Sequence, residues 1–69
     1  MTETPAEIAQ HYSAAMDSVN LINEIVESGD TDAETVDTKD RNVEHLKLMV
    51  AKDFWTTEDL KPFHDAIQA

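Results

Sequence analysis

Between Ile8 and Val26 the residues Ile8, Tyr12, Ala15, Val19, Ile22 and Val26 recur at spacings of 4-3-4-3-4. That interval holds one stripe of an α-helix toward a partner for about five turns, whereas a strand, with its period of two, would scatter the stripe over both faces. The boundaries agree with the period. Thr4-Pro5-Ala6-Glu7 sets a capping hydroxyl before a proline at the first helical position and a carboxylate at the third, which reads as a capping box. Gly29, the only glycine, stands where a left-handed C-cap is wanted, so the first helix is expected over about 5–28.

A second row, Ala14, Leu21 and Ile25, lies beside the first. With Met16 included, the apolar arc covers roughly 220° at 100° per residue, leaving Gln10, Ser13, Asp17, Asn20, Glu24 and Glu27 as the polar face. One helix cannot cover so wide an arc. Two neighbours are required.

The rest of the chain supplies them. Asp30 to Asp37 carries charge without period and reads as an acidic connector over about 29–37. Thr31-Asp32-Ala33-Glu34 has the residue types to open a helical turn early, but the safer start of a second helix is Asp37 or Thr38, giving a span of about 38–53. Its main stripe is Val43, Leu46, Met49, Val50 and Phe54, and Leu48, Ala51 and Trp55 form another on a different side. Thr56 with Asp59 makes a second capping signal, and Trp55 with Leu60 fits a hydrophobic staple, so a short third helix is placed over about 57–68. Pro62 removes a helical hydrogen bond and disfavours helical geometry at Lys61. Either a kink or a one-turn helix followed by a second is expected there. The fold class is all-α, one domain over 1–69: an antiparallel helical hairpin with a short, Pro-marked third helix against it.

Charge narrows the function classes. The formal net charge is −10 over 69 residues, and the first 38 residues contain no Lys or Arg. Such a chain is unsuited to direct nucleic-acid binding, which needs cations to displace phosphate counterions, and to anionic membrane surfaces. No apolar run approaches the ~20 residues that span a bilayer. Met1-Thr2-Glu3-Thr4-Pro5 lacks the basic start and apolar segment of a secretory signal, so a cytoplasmic location is expected. Without cysteine, disulfides, zinc fingers and thiol chemistry are excluded together.

Catalytic constellations are thin. Glu7 and His11 share a helix face at metal-binding spacing, but two ligands make no site, and His45 and His64 have no ligand at matching spacing. Asp30-x-Asp32-x-Glu34 opens like a calcium loop, yet Thr35 and Arg41 occupy the positions that need Gly and Glu. Ser13, Ser18 and Ser28 lack a nucleophile elbow, and one glycine cannot build a phosphate cradle. No catalytic, cofactor or metal residue is assigned.

Two features point to binding instead. Glu24, Glu27, Asp30, Asp32, Glu34 and Asp37 form an acidic cluster, and the first two crowd a helix C-terminus, where the macrodipole favours cations. A solvated turn accounts for the cluster; so does a basic partner surface. The apolar surplus, Leu21, Ile25, Leu48 and Trp55, is either covered by the third helix or used for self-association or docking.

Val43-Glu44-His45-Leu46-Lys47 and Ala51-Lys52-Asp53-Phe54-Trp55-Thr56-Thr57-Glu58-Asp59-Leu60-Lys61-Pro62-Phe63, within Asn42 to Ala69, carry a helix–Trp–turn–Glu-Asp-Leu-x-Pro pattern. This part resembles the C-terminal region of short uncharacterised proteins of tailed bacteriophages. The resemblance implies a virus-encoded accessory or virion component, found in host cytoplasm or particle, and no activity. The expected function is therefore a non-enzymatic helical protein–protein interaction module, a small phage structural or assembly component, with itself or a larger assembly as partner and homo-oligomerisation expected. The alternative is an acidic inhibitor that mimics nucleic acid and blocks a host nucleic-acid-binding enzyme. A small hydrolase subunit or a fragment of a metal-dependent enzyme is a third reading.

Overall fold

A computed structural model describes residues 4–69, so the readings that rested on Met1, Thr2 and Glu3 lie outside the described residues. Three helices follow one another: α1 over Pro5–Ser28, α2 over Ala33–Val50 and α3 over Thr57–Gln68. Among the described residues there is no strand, and the fold is all-α.

Helix α1 begins and ends where the sequence places it. Extended Thr4 accepts the Glu7 N–H on Oγ1 at 3.2 Å, while its hydroxyl donates to the Glu7 carboxylate at 3.1 Å. Gly29 ends the helix with φ 68°, a conformation that costs a residue with a Cβ, and its N–H reaches the carbonyls of Ile25 and Val26.

Helix α2 departs from expectation at both ends. It starts at Ala33, about five residues before the expected start, and the connector shrinks to 29–32. The reason is local polar chemistry. One carboxylate oxygen of Asp30 accepts the Asp32 N–H at 3.0 Å and the other accepts the Thr35 hydroxyl at 3.3 Å, which bends the chain into helical register. Asp32 and Glu34 then lie at a helix N-terminus, where the macrodipole favours carboxylates. At the other end α2 stops at Val50, not near Lys52 or Asp53. The Met49 carbonyl, which would continue the helix by accepting from Asp53, instead accepts the Lys52 N–H at 3.1 Å and the Trp55 indole N–H at 2.6 Å. Trp55 consequently leaves the helical frame, and the expected second stripe of Leu48, Ala51 and Trp55 does not form.

Helix α3 opens on a reciprocal capping box: Thr56 Oγ1 accepts the Asp59 N–H at 3.1 Å and Asp59 Oδ2 accepts the Thr56 N–H at 3.2 Å. A single helix runs through Pro62, so of the two expected outcomes the break into two pieces does not occur. The proline falls early enough that the carbonyl it orphans belongs to exposed Glu58 in the first turn, where solvent can reach it. Phe63 and Ala66, both buried, anchor the helix beyond it.

Helix α1 packs on both other helices, the two neighbours its wide apolar arc requires. The buried core is Ala15, Val19 and Ile22 from α1, Leu46 and Met49 from α2, and Phe63 and Ala66 from α3. Met16, Val43, Val50, Trp55, Leu60 and Ile67 pack around it. The start of α3 shares a groove with Pro5 to Tyr12, and the residue after its end shares another with Ile25 to Gly29. Helices α1 and α3 therefore run parallel, with α2 antiparallel to both, in a body of 41 × 19 × 16 Å. No helix among the described residues is long and apolar enough to cross a membrane.

Candidate functional site

The arrangement gives the bundle two unlike ends. At one, Tyr12, Phe54, Trp55 and Phe63, which are all the Phe, Tyr and Trp residues of the chain, gather around the turn between α2 and α3. Trp55 is the hub, with ring centroids 4.5 Å from Phe54, 5.0 Å from Phe63 and 6.3 Å from Tyr12. His11 stacks on Phe54 at 5.8 Å, so the ring next to the Glu7 pair is placed against an aromatic face. An open groove of about 410 Å³ runs past this cluster, lined by Pro5, Ile8, Ala9, Tyr12, Trp55 and Asp59.

At the other end, where α1 meets α2, a groove of about 330 Å³ is floored by Ile25, Val26 and Val36. Val26 is 46% and Val36 42% exposed, unusually open for β-branched residues on packed helices. Asp30, Lys39 and Asp40 rim the groove, and Gly29 and Ala69, the C-caps of α1 and α3, line it too. Two helix C-termini point their partial negative charge at this end against the single N-terminus of α2, and neither α1 nor α3 has a basic residue in its last turn. Lys39, the cation on the rim, is engaged: its Nζ donates to the main-chain oxygen of Ala69 at 3.2 Å.

The acidic residues picked out by sequence all prove exposed, but they do not share one face. Glu24 and Glu27 lie on the outer face of α1, roughly 100–160° around the helix from the groove-lining residues Ile25, Val26 and Gly29. Asp37 pairs with Arg41 at 3.0 Å, an exposed i,i+4 bridge. Asp30 lines the groove while bracing the turn, and Asp32 and Glu34 open α2. Of the apolar candidates, Leu21 and Ile25 are half-buried, and Trp55 is half-buried within the aromatic cluster. Leu48 alone stands clear at 72% exposed. It sits about 200° from buried Leu46 on α2, and so faces away from the core and from Trp55. Leu48 and Trp55 are not one surface.

One pair escaped the sequence reading. Ser18 on α1 and His45 on α2 meet with Oγ 2.8 Å from Nδ1. The clue lay in position: Ser18 falls between Ala15 and Ile22 in the seam, and a hydroxyl buried there needs a partner. A serine in contact with a histidine is also how a nucleophile meets its base. Here Ser18 is only 5% exposed, in mid-helix, where main-chain N–H groups are already used and none is left to hold an oxyanion. The pair ties α1 to α2 in register. Among the described residues no group of three or more His, Asp or Glu side chains is placed to hold a metal ion. His64 is exposed on α3.

Compared with known protein families, with characterised proteins and with solved structures, the chain matches none. The fold and the site together define a small acidic three-helix bundle with an apolar groove at its negatively polarised end.

Proposed function

We propose that the protein is a non-enzymatic helical interaction module, a small structural or assembly component of a tailed-bacteriophage particle. One observation supports this above the others: the serine of the Ser18–His45 contact is buried in mid-helix, while Val26, Val36 and Leu48 are left open on the surface. Val26 and Val36 lie together beside Ile25 in one groove, and an open apolar patch of that kind is available to a partner. The viral setting rests on the resemblance of Asn42 to Ala69 to short tailed-phage proteins. Self-association would run through the outward face of α2 around Leu48, because that face carries the most exposed large apolar residue.

A second reading, an acidic inhibitor standing in for nucleic acid on a host enzyme, draws support from the exposure of all six carboxylates. Their scatter around the bundle weighs against it, since a phosphate mimic needs its charges along one path. Affinity capture of the tagged protein from phage-infected cells, with partners identified by mass spectrometry, separates the two. A virion protein lost with Leu48→Asp or Val36→Asp supports the assembly module. A nucleic-acid-binding host enzyme, released by DNA or high salt and indifferent to both substitutions, supports the inhibitor and overturns the module.

A further inference from the structure

We infer that the groove between the C-terminus of α1 and the N-terminus of α2 docks a basic amphipathic helix of a partner protein, with one aliphatic side chain seated between Val26 and Val36. This deepens the interaction reading and rests on it. The floor of Ile25, Val26 and Val36 is aliphatic and contains no ring, so it suits the tip of a Leu, Ile or Met rather than a planar ligand. The wall is negative for three separate reasons. Asp30 and Asp40 stand on the rim; the C-terminal ends of α1 and α3 converge there; and both helices lack a basic residue in the last turn. Lys39, held by the Ala69 main-chain oxygen, offsets one of the two rim carboxylates, and the N-terminus of α2 offsets one of the two helix C-termini, so the balance stays negative. A chain of formal charge −10 adds a long-range field of the same sign, which raises the encounter rate of a cationic partner.

Charge also rules on the other occupants. A second copy would bring its own carboxylates against these, and like charges brought together oppose association. The wider groove at the aromatic end has no such polarity. There the positive N-termini of α1 and α3 converge, and one oxygen of Asp59 is engaged by the Thr56 N–H. An apolar anchor flanked by Lys or Arg matches the α1–α2 groove and not the aromatic one, in the manner of an amphipathic helix laid in a groove.

The test uses the full chain and synthetic helical peptides of about 18 residues, long enough to present one apolar face. One carries Leu at i, i+3, i+4 and i+7 among Lys, a second replaces every Leu by Ala, and a third replaces every Lys by Glu. Methyl NMR follows Ile25, Val26 and Val36, and fluorescence anisotropy gives affinity. The Leu/Lys peptide is expected to shift these methyl signals and to bind at least ~10-fold more tightly than the Ala/Lys peptide, as loss of a single good anchor would give. The Leu/Glu peptide is expected not to bind. Val36→Ser, and Val26→Ala should Val36→Ser unfold, is expected to remove most of that advantage, whereas Leu48→Ser leaves it intact. Equal binding of the Leu and Ala peptides, or binding with the three methyl groups unmoved, overturns the groove and leaves only diffuse charge attraction. Failure of every peptide overturns it as well. If cellular capture still returns a partner that Leu48→Asp abolishes, the interaction module survives the loss of this site. If the peptide binds as expected but cellular capture returns nothing, the site stands and the module reading falls.

Discussion

The two ends of this bundle are held by different physics. The aromatic end is closed by contacts distant in sequence: Tyr12, Trp55 and Phe63 come from α1, the α2–α3 turn and α3, and the Trp55 indole ties the turn to Met49. The acidic end is closed mainly by bonds between near neighbours, Ser28 to Ile25, Asp30 to Ser28, and Asp32 and Thr35 to Asp30, with one longer tie from Lys39 to the Ala69 main-chain oxygen. Such bonds shape a turn without burying apolar area, and each nets only ~0.5–1.5 kcal/mol. Stability is thus concentrated at one end and open apolar surface with unbalanced charge at the other. A binding site drawn from the less consolidated part of a small domain can change without unfolding the rest.

The sharpest way to break that contrast is to remove a side chain that serves the aromatic end. Phe63 is fully buried, packs edge-on to Trp55 and touches Tyr12, so Phe63→Ala leaves a cavity. A loss of about 3–5 kcal/mol is expected, comparable with the whole stability of a domain this size. Urea denaturation followed by circular dichroism checks it. A loss below about 1 kcal/mol would mean that this end is not where the fold is held.

A smaller effect isolates one bond. Trp55→Phe keeps an aromatic ring but removes the N–H that reaches the Met49 carbonyl at 2.6 Å. That carbonyl still accepts from Lys52, so it is not orphaned, and a cost of about 1–2 kcal/mol is expected from the lost bond and reduced packing. Amide exchange should quicken first at the end of α2, since the indole is what holds the turn against Met49. Uniform quickening across all three helices would assign Trp55 to the global core instead.

Much of this was legible from residue types alone, and the failures have a common cause. The middle of the α1 seam (Ala15, Val19 and Ile22), Thr4, Gly29 and the Thr56–Asp59 box were readable because each depends on neighbours within a turn or on a sustained period, whereas Tyr12 and Val26 toward the seam's ends are exposed. Helix α2 was misplaced at both ends because its limits are set by polar groups outside the apolar period. Asp30 initiates it by bonding two later residues, and Trp55 stops it by competing for a carbonyl. The same competition withdrew Trp55 from the surface it was expected to share with Leu48. At the candidate site, Ile25 and the acidic residues were flagged. The groove itself was not, because Val26 read as seam and Val36 as connector, and only their meeting across the turn creates it.

The smallest expected effect concerns Glu24 and Glu27. Both are exposed on the outer face of α1, with no basic residue in the last turn to offset them, so they oppose the helix dipole. The double change Glu24→Gln and Glu27→Gln keeps the side-chain length and removes two charges. It should therefore raise the melting temperature slightly at low ionic strength. Screening acts over ~8 Å at physiological salt, so the gain should shrink as salt is added and vanish near molar concentrations. Because neither residue lines the groove, the same change should weaken a Leu/Lys peptide only through the long-range field, slowing association at low salt without disturbing the Val26 and Val36 methyl shifts. Two results would force a revision. Destabilisation would mean that the carboxylates support the fold through contacts on α1, and abolition of binding at every salt concentration would place the docking surface on the outer face of α1, where the groove is not.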